Sequence, residues 1–211
     1  MSLPNYNPIQ VESYEILDEH YHPVTDSVPV EKRTYVRVIS SNSGIYHAKR
    51  VPLEHALPRG WPLTKPQLYV TRAGNFFSLS SKGLDSAKPG YSLRSAARKN
   101  GSMWKYSYMT HFSGICCHKA VYWAWKGAVP AGRQIDHIDG DPLNNHIDNL
   151  EAVTPAENIS RAKRLRRLRK LGITGCYDEI FGYTLRELYG FRDDDFNQLL
   201  EYYINKPKDL R

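Results

Sequence analysis

The hydrophobic pattern of the first half of the chain is that of β-strands. Short runs rich in β-branched and aromatic residues flank turn-forming residues in "TYVRVISSNSGIYHAKRV" (34–51) and in "QLYVTRAGNFFSLS" (67–80). Two such runs around a turn, here SNSG and Gly74–Asn75, are typical of a β-hairpin. The stretch "MWKYSYMTHFSGICC" (103–117) predicts a third hairpin that turns at Ser113–Gly114.

The segments between these hairpins have a different composition. Residues 52–66 hold four Pro and predict a linker or an irregular loop, and residues 83–102 are rich in Gly, Ser and Lys, which predicts an exposed basic loop. "HKAVYWAWKG" (118–127) has apolar residues at helical spacing and ends in Gly127, so it predicts a short helix.

After this helix the pattern alternates again. "RQIDHI" (133–138) suits a strand, with Ile135 and His137 on one face. "DGDPLNNHIDN" (139–149) consists of residues that bend the chain and bond their own backbone, and "LEAV" (150–153) suits a short return strand.

A helix start follows in "TPAE", where Thr154 can be the N-cap, Pro155 takes the first helical position and Glu157 completes a capping box. The helix can then run to Lys170. The order predicted is strand, long polar loop, strand and helix.

The last part of the chain, "YTLRELYGFRDDDFNQLLEYYI" (183–204), predicts two short helices about Gly190. Three acidic residues, Asp193–Asp195, would open the second helix, where their charge suits the helix dipole but opposes a DNA phosphate. We therefore predict a packing or dimerisation element, with a DNA-binding helix-turn-helix as the alternative.

The distribution of basic residues suggests a polyanionic partner. The chain has a net charge of +7, and residues 67–130 alone carry nine basic residues against Asp85, interleaved with Tyr and Trp. Such a surface attracts polyanions, although it could also be only a solvated face. "RAKRLRRLRK" (161–170) has seven basic residues, with Leu165, Leu168 and Leu171 predicted to pack inward. We favour contact with DNA phosphates for its basic face.

Other classes of protein are disfavoured. No apolar stretch approaches the roughly 20 residues that span a bilayer, and the N-terminus lacks the basic start and apolar run of a signal peptide. Three Cys without a CxxC pair argue against a disulfide framework. We expect a cytoplasmic protein, in a bacterial or phage-infected host cell, without a membrane partner.

The polar segment suggests a metal-dependent chemistry. A helix laid across the two-stranded ribbon would bring Asp136 towards Asn158, and carboxylate and amide oxygens are hard ligands suited to Mg²⁺. His137 would point to the other side of the strand, where its ordinary pKa of about 6.5 suits a general base. Asn149, where the loop rejoins the ribbon, could hold the loop shut or orient His137.

The matching residues are Asp136 and His137 in "DHIDGD", the pair Asn144–Asn145, Asn149 in "DNLEAVT" and Asn158 in "PAENI". This set resembles the HNH nucleases, which have the ββα-metal fold, and is most similar to the phage and intron-encoded branch whose last metal ligand is Asn. The resemblance covers about residues 67–165. It implies that Asp136 and Asn158 bind the ion, that His137 is the general base, and that Asn149 positions the loop and the base.

We therefore expect an α+β protein with a ββα-metal nuclease core, preceded by β-hairpins and a short helix and followed by a helical segment. The predicted units are a β-rich segment over 1–66 that could extend DNA recognition, a nuclease domain over 67–172 and a helical tail over 173–211. The expected function is hydrolysis of DNA phosphodiester bonds by a homing-type or phage-encoded nicking endonuclease, leaving 5′-phosphate and 3′-hydroxyl ends. A restriction or repair nuclease and an inactive nucleic-acid-binding module are the alternatives.

The expected partners follow from this function. Double-stranded DNA would be the substrate, Mg²⁺ or Mn²⁺ the cofactor, and a homodimer one route to a double-strand break. Structural zinc on Cys116, Cys117, His118 and Cys176 is disfavoured because adjacent Cys do not chelate easily, and a calcium loop lacks its closing Glu. The residues predicted to contact DNA are Arg133, Arg161, Lys163, Arg164, Arg167, Arg94, Arg98, Lys99 and Lys105.

Overall fold

A six-stranded antiparallel sheet forms the first half of the fold. The computed structural model of the chain describes residues 8–25, 27–53, 66–95, 103–109, 112, 115–171 and 185–205. The strands of this sheet lie side by side in chain order. They are β1 (Val11–Leu17), β2 (Tyr35–Ser40), β3 (Ile45–Arg50), β4 (Gln67–Thr71), β5 (Phe76–Ser80) and β6 (Gly83–Ser86).

The second half is built from a smaller sheet, a two-stranded ribbon and helices. The smaller sheet is antiparallel and contains β7 (Gly90–Ser95), β8 (Met103–Met109) and β9 (Ile115–Cys116). The ribbon pairs β10 (Gln134–His137) with β11 (Leu150–Val153). The helices are α1 (Cys117–Lys126), α2 (Pro155–Lys170), α3 (Leu185–Gly190) and α4 (Asp193–Asn205), and short 3-10 turns cover Val30–Lys32 and Ile147–Asn149.

Most elements predicted from the pattern are confirmed. The first two hairpins are β2–β3 and β4–β5, and β8 pairs with β9 where the third was expected. The exposed loop predicted over residues 83–102 is wrong, because β6 and β7 occupy much of it. Leu84 in β6 and the alternating Tyr91 and Leu93 in β7 give a strand pattern that the Gly and Lys content obscured. Residues 54–65 of the predicted linker lie outside the described part of the chain.

The large sheet extends across the predicted boundary at residue 66. Strand β3 precedes that boundary and β4 follows it, yet the two are hydrogen-bonded neighbours. The alternation of β4 explains how the sheet is buried on both faces. Tyr69 packs with residues such as Val36 and Val38 on one face, whereas Leu68 and Val70 pack on the other with residues of α1.

Helix α1 joins the sheet to the ribbon. Its buried side includes Val121 and Ala124, which share a core with Leu68 and with Leu150 of β11. Gly127 ends the helix as predicted, with a φ of 82° and its N–H bonded to the carbonyl of Trp123. The left-handed conformation at this position favours Gly. The ribbon is therefore attached to the large sheet through α1.

The C-terminal helices pack against α2. A separate core contains Ile138, at the end of β10, together with residues of α2, α3 and α4: Leu165, Leu168, Leu188, Phe196 and Leu200. The two helices predicted about Gly190 are present and pack against α2, which is one of the two roles predicted for them. Leu171, predicted to face inward, is instead 38% exposed. No helix in the described ranges is long and apolar enough to cross a membrane.

Candidate active site in the β10–β11 ribbon

The ribbon presents Asp136 and His137 on opposite faces. Asp136 lies opposite Glu151 in the antiparallel register, and His137 lies opposite Leu150. Side chains alternate along a strand, so Asp136 faces one way and His137 the other. Leu150 belongs to the core around α1, and Ile138, on the Asp136 side, belongs to the core around α2. The ribbon is thus held between the two helices.

The start of α2 is fixed by the capping box that the sequence predicted. The backbone N–H of Glu157 donates to Thr154 Oγ1 at 3.2 Å, and Glu157 Oε2 accepts from the backbone N–H of Thr154 at 2.7 Å. The bond from the Thr154 N–H, together with one from the Thr154 hydroxyl at 2.9 Å, lowers the pKa of the Glu157 carboxyl. The cap determines where the helix begins, and Asn158 consequently lies in its first turn.

One arginine of α2 connects the helix to the ribbon. Nη1 of Arg161 lies 2.8 Å from Glu151 Oε2 and 3.7 Å from Asp136 Oδ2. Asn158 precedes Arg161 by three residues, so it lies on the same side of the helix, about one turn closer to its start. The helix face that carries Asn158 is therefore the face turned towards Asp136.

Asp136 is a largely buried carboxylate, with 16% of its side chain exposed. Burial raises the pKa of Asp136 above its ordinary value, while the Arg161 guanidinium and His137 act in the opposite direction. A carboxylate whose burial outweighs the attraction of its cationic neighbours is one that a further cation would stabilise.

The C-terminal helices reach this part of the site through Tyr189. Its ring centroid lies 4.7 Å from Cζ of Arg161, and its hydroxyl donates to the carbonyl of Ile138 at 2.8 Å. Sequence reasoning missed this contact because 51 residues separate Tyr189 from Ile138. A tyrosine in a short helix gives no local signal of such a role.

Asn149 closes the polar loop between the two strands. Its Nδ2 donates to Asp139 Oδ1 at 2.9 Å and to the carbonyl of Asn144 at 2.8 Å, and its Oδ1 accepts from the N–H of Asp139 at 3.0 Å. Its backbone carbonyl accepts from Ile138 at 2.9 Å. Asn149 therefore connects both ends and the middle of the loop. The side chain that contacts His137 is that of Asn145, not that of Asn149.

The ring of His137 contacts side chains of the loop and of α1. Its Nε2 lies 3.1 Å from Oδ1 of Asn145, and its ring meets that of His118 edge-on with centroids 5.4 Å apart. Burial lowers the pKa of His118 to about 3, and His137 adds to the lowering. His118 is therefore neutral at pH 7. Asn145 belonged to the predicted motif and His118 to the helix before it, but the sequence did not assign either residue to His137.

The basic residues predicted to contact DNA occupy different environments. Arg133 and Lys163 are exposed, and Arg133 donates to the carbonyl of Ala152 at 3.0 Å. Arg167 is exposed and donates to Asn197. Arg161 is 14% exposed and ion-paired. Arg94 lies in β7 and Lys105 in β8, and Arg98 and Lys99 lie outside the described residues.

Arg164 requires a correction to the predicted basic face. It is 7% exposed, and its guanidinium donates to the carbonyls of Leu188 and Phe191 at 2.7 Å and to Asp193 Oδ1 at 2.8 Å. Arg164 is used to attach α3 and α4, and in this arrangement it cannot lie on a DNA phosphate. The seven-residue basic count did not distinguish the buried stripe of α2 from its exposed one.

Comparison with known proteins assigns this region to a class. Residues 117–159 match the model of the HNH endonuclease family. The match begins with α1, contains the whole ribbon and its loop, and ends just after Asn158. The predicted resemblance to the HNH endonucleases is thereby confirmed for residues 117–159.

Individual relatives share the same region. The chain is 44% identical over 52 residues to "Protein 3.8" of Escherichia phage T7, which is 25% of this chain and 43% of that protein. It is 51% identical over 37 residues to the "SPbeta prophage-derived putative HNH homing endonuclease YosQ" of Bacillus subtilis (strain 168), which is 18% of this chain and 21% of that protein. The chain thus spans less than half the length of either relative. No solved structure matches it.

Proposed function

We propose that this protein is a divalent-metal-dependent endonuclease that hydrolyses DNA phosphodiester bonds. The observation that carries the proposal is the pairing of a buried carboxylate, Asp136, with an adjacent imidazole, His137, on a ribbon held between α1 and the capped start of α2. This arrangement lies entirely within the segment that matches the HNH endonucleases. The strand, loop, strand and helix order suits the ββα-metal fold.

The donor set suits a hard cation. Asp136 and Asn158 would hold Mg²⁺ or Mn²⁺ through oxygen atoms, with water and phosphate as the remaining ligands. The raised pKa of the buried Asp136 carboxyl supports this assignment, since a divalent ion would favour the ionised form. When bound, such an ion stabilises negative charge on the scissile phosphate and on the leaving oxygen.

The chain's own residues supply the proton transfer. His137 would take a proton from the attacking water, which yields 5′-phosphate and 3′-hydroxyl ends when the 3′ oxygen leaves. Asn149 would act indirectly by keeping the loop closed beside His137. One such site cuts one strand at a time, so we expect nicks, and a double-strand break would require a second copy or a second event.

DNA would also contact the large sheet. Beside α1, Nζ of the half-buried Lys49 lies 5.6 Å from the ring centroid of Tyr35 and 5.9 Å from that of Trp125. Cζ of Arg72 lies 5.6 Å from the Trp125 ring and its Nη2 bonds Asp148, in the loop of the site. This cationic and aromatic surface continues into the nuclease loop, which supports a DNA-recognition role for the N-terminal segment.

Within this class we favour a phage-borne or homing-type enzyme over a restriction or repair nuclease. Both named relatives come from a phage or a prophage, and one is described as a homing endonuclease. Cut positions mapped on long DNA separate the two, because a homing enzyme cuts at rare, long sites.

The test is the conversion of supercoiled plasmid to open circles in Mg²⁺ or Mn²⁺. We expect wild type to nick, and EDTA and His137→Ala each to reduce the rate at least 100-fold. The matched control is His22→Ala, which removes a histidine with 75% of its side chain exposed, outside the ribbon and its loop, and should nick like wild type. DNA ligase should reseal the nicks directly, since that requires 5′-phosphate and 3′-hydroxyl ends.

Two results would contradict the proposal. Cleavage that persists equally in His137→Ala would remove His137 as the base. Salt-sensitive DNA binding without cleavage, on plasmid and on long phage DNA alike, would favour a binding module whose ion site is inactive.

A further inference from the structure

The orientation of the Asn145 amide follows from what lies on either side of it. Its Nδ2 donates to the carbonyl of Leu143 at 3.3 Å, and its Oδ1 lies 3.1 Å from Nε2 of His137. The reverse orientation would place an amide oxygen against the Leu143 carbonyl, and two acceptors repel each other. The oxygen of Asn145 therefore faces His137.

This orientation decides which nitrogen of His137 carries a proton. An amide oxygen only accepts hydrogen bonds, so Nε2 of His137 must donate, in both the neutral and the charged ring. In the neutral ring the lone pair is then on Nδ1. Of the two nitrogens, Nδ1 is the one able to take a proton.

Asn145 is itself held by the large sheet. The β4–β5 turn places Gly74 directly against it, since a Cβ on Gly74 would stand 3.4 Å from both the Cβ and the carbonyl oxygen of Asn145. The carbonyl of Arg72 in the same turn accepts from the N–H of Ile147 at 2.8 Å, and the Arg72 guanidinium bonds Asp148 at 2.8 Å. The turn thus contacts the loop at Asn145 and is hydrogen-bonded to it at Ile147 and Asp148.

We propose that Asn145 is the positioning residue of His137. It holds the ring in the form with hydrogen on Nε2, which leaves Nδ1 as the proton acceptor, and the β4–β5 turn keeps Asn145 in place. The step assigned to Nδ1 rests on the proposed function, whereas the form of the ring does not. The large sheet would therefore influence the orientation of His137, because its β4–β5 turn contacts Asn145.

The tautomer can be measured without any nuclease activity. Long-range ¹H–¹⁵N spectra of protein labelled in histidine report which ring nitrogen carries the proton, and the signal that disappears in His137→Gln identifies His137 among the eight histidines. We expect the neutral ring of His137 to carry its proton on Nε2. A proton on Nδ1 would overturn the proposal.

Variants of Asn145 test its role. Asn145→Ala should give a mixture of the two ring forms and lower kcat about 10- to 100-fold, with KM for DNA nearly unchanged. Asn145→Asp keeps an oxygen that can face Nε2, so it should keep the wild-type ring form. The control is Asn144→Ala, because Asn144 donates to Asp139 at 2.7 Å, and it should leave the ring form as it is in wild type.

The outcomes separate this inference from the proposed function. A ring form unaltered in folded Asn145→Ala would refute the positioning role, whatever the plasmid assay shows. If the ring form depends on Asn145 as expected while wild type cuts no DNA, the orientation stands and the nuclease function fails. A change of KM rather than kcat would assign Asn145 to DNA binding and overturn its positioning role.

Discussion

Gly140 offers a sharp test of how the loop between β10 and β11 packs against α2. It follows Asp139, has a φ of 69°, and a Cβ added to it would stand 2.6 Å from Cδ1 of Leu165 and 3.2 Å from Nη2 of Arg169. Carbon atoms in ordinary contact are about 3.5–4.0 Å apart. Leu165 is buried, so it cannot move by the required distance of about 1 Å without disturbing its neighbours. The perturbation is Gly140→Ala.

The chain contains a matched control for the backbone contribution. Gly132 has a φ of 72°, and a Cβ added there meets nothing within 4 Å. Gly132→Ala should cost only the left-handed backbone strain of about 1–2 kcal/mol, partly offset by the lower entropy of the unfolded chain. Gly140→Ala carries the same strain and adds overpacking, which costs about 1–3 kcal/mol.

We therefore expect Gly140→Ala to lose about 2 kcal/mol more than Gly132→Ala. For a chain of this length that difference lowers Tm by about 4–8 °C. Urea unfolding and thermal scans of the two variants measure it directly. Because the loop also carries Asn145 and Asn149, Gly140→Ala should reduce nicking more than Gly132→Ala does.

A double-mutant cycle identifies the contact responsible. Leu165→Ala alone removes core volume and should cost about 2–5 kcal/mol. It also removes the atom against which the new Cβ would press, so the double variant should lose less than the sum of the two single variants. Equal losses for Gly140→Ala and Gly132→Ala, or strict additivity in the cycle, would refute the seating of the loop on α2.

Three further predictions follow from the site. Asp136→Asn should raise the stability of the metal-free protein at pH 7, because burial raises the pKa of Asp136 and the native state therefore disfavours its ionised form. This gain in stability should shrink as pH falls towards about 4, where the unfolded carboxyl is protonated as well, and equal stability of variant and wild type at all pH values would contradict the burial argument. Calorimetry should also show weaker Mn²⁺ binding by the variant. Arg164→Met should cost about 2–4 kcal/mol in urea, since it removes the buried guanidinium that donates to the carbonyls of Leu188 and Phe191. Lys163→Ala should instead leave stability within about 0.5 kcal/mol and reduce the salt dependence of DNA binding. Lys49→Ala should weaken DNA binding and lower the slope of log affinity against log salt by about one, with nicking at saturating DNA unchanged; an unaltered slope would remove the sheet face from the interface.

The sequence by itself determined the features that depend on near neighbours. The capping box of Thr154 and Glu157, the end of α1 at Gly127 and the alternation of Asp136 and His137 all involve residues within a few positions of one another. Local hydrogen bonding and strand geometry are sufficient to fix such features. The hairpins β2–β3 and β4–β5 follow from the same short-range rules.

Only the tertiary structure decided which distant residues complete the site. Arg164 faces α3 and α4 rather than DNA because the carbonyls that need its donors lie 24 and 27 residues away. Tyr189 covers Arg161, and the β4–β5 turn supports Asn145, because separate elements bury their apolar faces against one another and bring these side chains with them. The composition of α2 gives its charge, but the packing of its neighbours determines which of those charges reach solvent.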